Sequence, residues 1–325
     1  MRPIESLRMQ LRGLDGKDYG ACQSLLGSYS YPTFDLYIDQ IPKDPYAPPH
    51  TGIYRVRVGW SSAGFSPNVI STQTRKVALR DFLARQFFRN SSVVSRRRGT
   101  GNSGLITIAE PGQEILERTS VAVSEEFIEA RIFLGLPAQN RRIRADVAEQ
   151  MIFEELPGVV NSSLFASSLD GQEITEHLHT AEDAEFLRNE LTLLGLVAFV
   201  ADDAVLPRVS GVDPRPLDSG DVVRFRSPDS LRLSVELPNA GTITGMGIPK
   251  GVTLLVGGGY HGKSTLLQAL EQGVYNHIAG DGRESCVSLP ETVKVRAYSG
   301  RSVVNTDISP FIENIPRQHD TVAFY

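Results

Sequence analysis

The chain has 325 residues and a formal net charge of −5, with 41% hydrophobic, 22% charged and 8% aromatic residues. That length allows two domains of roughly 100–200 residues each, the composition is that of a globular protein, and no apolar run reaches the ~20 residues of a membrane helix. No apolar core of a secretory signal follows Met1, and Cys22 and Cys286, far apart in sequence, read as buried small hydrophobes in a reducing compartment, the cytoplasm.

In chain order, Leu7, Leu11 and Leu14 fall at helical spacing before glycines break the pattern. FDLYIDQI alternates apolar and polar residues as a half-buried strand does, and the Pro-rich PKDPYAPPH behind it excludes helix and central strand. GIYRVRVGW predicts a second strand with Arg55 and Arg57 outward, and TRKVALRDFLARQFFRN a helix whose polar positions are nearly all arginine. VVSRRRGTGNSGLITIA predicts a basic turn and a strand, QEILERTSVAV a further strand. Ser124 before EEFIEARIFLG predicts an N-capped helix closed near Gly135. RIRADVAEQMIFEEL predicts a helix that stops at Pro157-Gly158, and Thr180 opens a helix over AEDAEFLRNELTLLG that Gly195 closes. LVAFVADDAVLPR gives a buried strand, and residues 208–221, rich in Gly, Pro, Ser and Asp, read as the linker. Beyond it VVRFR and LRLSVEL predict short strands, and TVKVRAYSGRSVVNTDI a hairpin across YSGR. The fold class is α/β overall: an N-terminal α+β domain over residues 1–210, then a partial P-loop NTPase α/β domain over residues 211–325.

Charge is uneven. Between residues 51 and 109, Arg55, Arg57, Arg75, Lys76, Arg80, Arg85, Arg89, Arg96, Arg97 and Arg98 face one acid, Asp81. That block carries +9 and leaves −14 for the remainder. It reads either as a local surface for a polyanion, RNA or another nucleic acid, or as arginines paired with acids elsewhere in the fold.

Gly257, Gly258, Gly259, Tyr260, His261, Gly262, Lys263 and Ser264 fill the pattern G-x-x-x-x-G-K-[ST], between the apolar VTLLV and the helical KSTLLQALEQG. A phosphate-binding loop needs convergent backbone N–H groups, glycines that let the chain bend, and a helix N-terminus behind them. Lys263 is expected to reach the β- and γ-phosphates, Ser264 to give its hydroxyl to Mg²⁺, and Thr265 to bond the α-phosphate. No Asn-Lys pair, the start of the usual guanine-reading motif, occurs in the chain, which favours ATP.

A hydrolytic site also needs a metal-holding carboxylate after an apolar strand. Asp202 and Asp203 end LVAFVADD upstream of the loop, and Asp307 follows VVN downstream. Asp202 and Asp307 are the weak catalytic candidates, each with a simpler reading as the end of a structural strand. His177 and His179 read as a surface pair, and GTGNSG (99–104) as an anion nest or a mobile surface loop.

The stretch GMGIPKGVTLLVGGGYHGKSTLLQALEQGVYNHIAGDGRE resembles the P-loop region of the ABC-class ATPase family, soluble non-transporter ATP-binding-cassette proteins with a member in the trypanosome mitochondrial RNA-editing machinery. YPTFDLYIDQIPKDPYAPP, GNSGLITIAEPGQEILERTS, IEARIFLGLPA and GLVAFVADDAVLPRVSGVDPRPL extend the resemblance along the chain. It implies a basic, RNA-binding N-terminal domain and an ABC-type ATPase core in which two nucleotide domains pair head to tail around ATP, as in a homodimer. It also implies the ATP site at Gly257 to Thr265. Members continue past DISPFIENIP into a signature loop, a second acidic strand and a switch histidine, none of which precedes Tyr325. The resemblance therefore implies a shortened chain that binds Mg·ATP, with hydrolysis left open. The alternatives are a non-hydrolysing nucleic-acid-binding module with a vestigial nucleotide site, and a small-molecule kinase using Arg283, Arg296, Arg301 or Arg317.

Overall fold

The computed structural model describes residues 1–44, 52–220, 222–296, 307 and 309. Its contacts divide the chain into a unit from Met1 to Pro290 and a second from Glu291 to Tyr325. The expected hairpin across YSGR falls largely outside the described residues. The expected boundary at 210/211 lies inside the first unit.

The first sheet starts with β1 (Arg2–Pro3), parallel to β2 (Gly27–Ser30), and continues antiparallel through β3 (Asp35–Gln40) and β4 (Gly52–Gly59). Helix α1 (Ile4–Arg12) buries Leu7 and Leu11, as their spacing predicts. On β4, Tyr54, Val56 and Val58 point into the core while Arg55 and Arg57 take the opposite face. A short α2 (Trp60–Ala63) leads to α3 (Gln73–Val94), the arginine-rich helix, whose Thr72 hydroxyl accepts from Arg75 N at 3.1 Å. Then follow β5 (Ile106–Thr107), β6 (Glu114–Ile115), β7 (Val121–Val123) and β8 (Phe127–Leu134). Strand β8 pairs with β4 along its whole length and with β5 and β7 on its other edge.

Strand β8 replaces the helix expected after Ser124. The Ser124 hydroxyl accepts from Glu126 N at 3.2 Å and Phe127 N at 3.1 Å, so it caps a tight turn between β7 and β8. Ile128, Ala130, Ile132 and Leu134 then share one buried face at the period of a strand.

After the hairpin β9 (Ala138–Gln139) and β10 (Arg142–Ile143) comes α4 (Ala145–Gln150). The helix expected to stop at Pro157 runs on: a π-helical segment, Met151–Glu155, joins α4 to α5 (Leu156–Leu164). The wider turn leaves room for the proline ring, which sits in the first turn of α5, where its missing N–H costs little. Helix α6 (Gly171–Leu193) starts nine residues before Thr180, because Asp170 accepts from Gln172 N at 2.7 Å as its N-cap. Gly195, at φ 69°, follows its end as expected.

The second sheet orders β12 (Arg232–Leu237), β13 (Gly241–Pro249), β11 (Leu196–Ala201) and β15 (Cys286–Ser288), all antiparallel. The glycines of GTITGMGIP, a stretch the sequence patterns did not single out, let it serve as an inner strand: a Cβ on Gly245 would lie 2.3 Å from the Phe199 ring, and one on Gly247 2.3 Å from Leu233. VVRFR forms no strand, though Phe225 N donates to Ala204 O at 2.9 Å.

Helix α6 belongs to two cores. Ile174, Leu178 and Ala181 pack into the first sheet's core, while Ala184, Leu187 and Leu191 cover one face of the second sheet. The opposite face of that sheet buries Ala198, Val200, Met246 and Ile248 against Ala269 of α7 (Lys263–Gln272). Strand β14 (Asn276–His277) follows α7 and pairs with β6, tying the two parts of the unit together. No helix among the described residues is long and apolar enough to cross a membrane.

Candidate nucleotide-binding site

Gly257 and Gly262 stand at φ 150° and 78°, where a side chain is strained, and Tyr260 holds φ 61° without being glycine. That left-handed tyrosine costs roughly 1–2 kcal/mol. The loop ends with Gly262 as the N-cap of α7, so Lys263, Ser264 and Thr265 occupy the first helical turn. The Lys263 ammonium turns back and donates to the carbonyl oxygen of Gly258, so the loop wraps around a cation. First-turn N–H groups have no partner within their helix and carry partial positive charge. Loop, lysine and helix start thus present one concentrated positive field, open to solvent on the side of Tyr260.

VTLLV, expected as the strand that feeds the loop, joins no sheet among the described residues. Val252, Leu254 and Val256 are 98, 81 and 76% exposed. The segment has the alternation of a strand, but a strand needs a neighbour to take its backbone groups.

The far end of α7 is tightly held. Gly273 N donates to Ala269 O at 2.8 Å, Ser288 N to Gly273 O at 2.9 Å and Ser288 Oγ to Leu270 O at 2.8 Å. A Cβ on Gly273 would lie 3.0 Å from Cys286 O and 3.1 Å from Ser288 N.

A family model for the N-terminal region of ATPases of the ABC class matches residues 4–167, half of the chain, and a P-loop domain model of ABC ATPases matches residues 170–325. The chain belongs to the ABC-class ATPase family. It is also 31% identical over 140 residues to an uncharacterized protein of Methanocaldococcus jannaschii, a match that covers 41% of this chain and 31% of that protein.

The arginine block of this ABC-class protein is mostly neutralised. Arg55 meets Asp39 at 2.6 Å and Glu129 at 3.2 Å, and Arg57 meets Glu129 at 2.6 Å. Arg75 pairs with Glu182, Arg85 with Asp81 and Arg98 with Glu155, each at 2.6 Å. Arg80 pairs with Glu117 at 2.5 Å, and Arg89 lies 3.9 Å from Glu173. Lys76, Arg96 and Arg97 have no such partner among the described residues, and Arg96 and Arg97 are exposed.

The candidate carboxylates are engaged as well. Asp202 accepts from Ser227 N and Oγ at 2.6 Å and from Thr244 Oγ1 at 2.9 Å, with Arg232 at 3.4 Å. Burial pushes its carboxyl up, but these donors and the Arg232 charge outweigh it and hold it below its usual range. Asp203 sits at φ 64° in the turn. Asp307 is exposed and accepts from Ser309 N at 2.9 Å. No group of three His, Cys, Asp or Glu side chains converges among the described residues. His177, expected at the surface, is buried at 6% exposure, its Nε2 3.3 Å from Asp81 Oδ2, and His179 is half-buried. Cys22 and Cys286 are free and buried, as expected.

Reading by motif missed two buried arrangements in the P-loop half. Asp281 accepts from Arg208 Nη2 at 2.6 Å and stands 2.8 Å from His277 Nδ1, beside the buried Arg283, whose Nε donates to Leu206 O at 3.1 Å. Burial, reinforced by the Arg208 charge, pushes the Arg283 guanidinium down to about 10. In sequence HIAGDGRE is a polar turn, with no pattern to mark it as buried. The other arrangement is Arg188, which lies on the apolar stripe of α6 between Ala184 and Leu191. A charge on that stripe was the available signal.

Proposed function

We propose that this chain binds ATP as its Mg²⁺ complex at Gly257 to Thr265 and that occupancy is passed to the N-terminal half. One observation carries the reading: the glycine-rich loop folds around the Lys263 ammonium at the N-terminus of a helix whose other end is anchored in the fold. The donor set fits a triphosphate, with N–H groups and an ammonium for phosphate oxygens and the Ser264 hydroxyl for the cation. When bound, Mg²⁺ would supply neutralisation of the phosphate charge. Lys263 holds phosphate oxygens, Thr265 offers a hydroxyl to the α-phosphate, and the backbone from Gly257 to Gly262 encloses the anion.

The test is titration with a fluorescent ATP analogue and Mg²⁺, beside Lys263→Ala. Removing a charged hydrogen-bond partner costs about 1.5–3 kcal/mol, so affinity should fall roughly 10- to 100-fold. Equal affinities would refute the site. Measuring mass with and without nucleotide in the same samples tests head-to-tail pairing of two copies. Turnover is the separate measurement for Asp202 and Asp307, whose carboxylates are tied to Ser227, Thr244 and Ser309.

Nucleic-acid contact is the finer part of the proposal, and it narrows from ten cations to Lys76, Arg96 and Arg97. Contacts from Arg96 and Arg97 predict a slope of about −2 in log affinity against log salt, near 0.9 per phosphate. A slope unchanged in Arg96→Ala/Arg97→Ala would remove RNA from the reading. The kinase alternative loses support at Arg283, which is buried and spends its donors on Leu206 O. Arg301 and Arg317 lie outside the described residues.

A further inference from the structure

The C-terminal end of the P-loop helix is gripped by one buried cation. Arg188 of α6, 7% exposed, donates from Nη2 to Gly273 O at 3.2 Å, from Nε to Ser288 O at 3.3 Å, and from Nη1 to Asn276 Oδ1 at 2.7 Å. Nη1 also meets Glu185 on its own helix at 2.9 Å. A single guanidinium thus reaches the residue closing α7, the strand β15 behind it and the strand β14 that follows. Its charge lies at the negative end of the α7 dipole, opposite the end that would receive phosphate. Burial lowers the guanidinium pKa, so the group is kept in place at a cost that its acceptors must offset.

The contacts continue into the N-terminal half. Asn276 and His277 of β14 pair with Ile115 and Glu114 of β6, and Ile278 N donates to Gln113 O at 3.1 Å. Arg85 of α3 holds the same β6 segment through Gly112 O at 2.6 Å and Glu114 O at 3.0 Å. The path from the nucleotide loop to the arginine helix is therefore α7, Arg188 with Asn276, the strand pair β14–β6, and Arg85.

We infer that Arg188 is a positioning residue for the nucleotide site and the joint that links occupancy of residues 257–265 to the strand pair β14–β6. The inference rests on the nucleotide reading above. Helix α7 is a rod about 15 Å long at 1.5 Å per residue, so a fixed C-terminal end sets the direction in which its N–H groups point. Phosphate drawn to one end is resisted at the other, and the load falls on the acceptors of Arg188. Lysine cannot serve all three, because its ammonium lacks the planar fork.

Hydrogen exchange on the full chain, with and without a saturating non-hydrolysable ATP analogue and Mg²⁺, tests the joint in wild type, Arg188→Lys and Asn276→Ala. In wild type, nucleotide should slow exchange at residues 257–273 and also at 114–115 and 276–277. Both variants should keep the first effect and lose the second, with nucleotide affinity down roughly tenfold, within the span of measured couplings. Asn276 is half-buried at the edge of the cluster, so its variant gives the reading should Arg188→Lys fail to fold. Protection at 257–273 that never reaches 114–115 in wild type, or that reaches it undiminished in a folded variant, overturns the inference alone. No protection at 257–273 in wild type overturns the nucleotide reading and the inference with it.

Discussion

Glu129 shows how one carboxylate changes the reading of a basic surface. Its side chain is buried, and it takes Arg57 at 2.6 Å and Arg55 at 3.2 Å, with both guanidiniums stacked over Tyr37 at 5.2 and 4.6 Å. Removing its charge leaves the half-buried Arg57 without a carboxylate and Arg55 with Asp39 alone. Glu129→Gln should lower stability by about 2–3 kcal/mol, less than for a fully buried pair because the arginines are part-exposed, and should strengthen retention on a heparin column. Unchanged urea midpoint and retention would contradict this account. The two thiols make a second prediction: burial pushes both Cys22 and Cys286 up to about 12. Neither should react with a thiol reagent at pH 8 in the native protein, and both should react in urea; fast native labelling would show that one is open.

Asp202 adds a pH dependence whose sign follows from its lowered carboxyl. A group held below its usual value, near 3.8, favours the folded state above that pH and loses that contribution as pH falls through the folded value. Acid unfolding followed by circular dichroism should therefore shift less with pH below about 4 in Asp202→Asn than in wild type. Identical slopes would show that the Ser227 and Thr244 bonds do not favour the charged form. At this scale the place of Lys263 at the start of a helix behind a glycine loop was legible in the sequence, because the pattern is local. The partners of the arginines were not, since Asp39, Glu129 and Glu182 are brought to them only by folding.

Among elements, those with one dominant period were readable. Strands β3 and β4 and helices α1, α3 and α7 stand where alternation or helical spacing put them. Residues 125–134 fit both periods, and pairing with β4 decided for strand. Strand β13 was not among the expected strands, and the purpose of its glycines is visible only once Phe199 and Leu233 lie over them. Gly273 is the corresponding position in α7, and Gly273→Ala should destabilise by about 1–3 kcal/mol through overpacking against β15. Its nucleotide affinity should fall in parallel, because the displaced backbone is the one Arg188 holds. A Gly273→Ala protein as stable as wild type would show that the contact gives way without cost.

For the molecule as a whole, α6 is the decisive element, since a single helix contributes Leu178 to one core and Leu187 to another. Asp183, between them, accepts from Asn239 N at 3.0 Å and Ala240 N at 2.9 Å, fixing the turn of the β12–β13 hairpin. Calorimetry should therefore show the unit from Met1 to Pro290 melting in one transition, with calorimetric and van't Hoff enthalpies in agreement. Two resolved transitions would separate the cores. The same helix bears on inheritance and on protein engineering. The two family models meet at residues 167 and 170, just ahead of α6. A chimera joined there would carry Ile174, Leu178 and Ala181 away from the α3 surface they were selected to fit, and present them to a stranger's. The two modules can be exchanged between relatives only if the first half of α6 stays with the N-terminal partner.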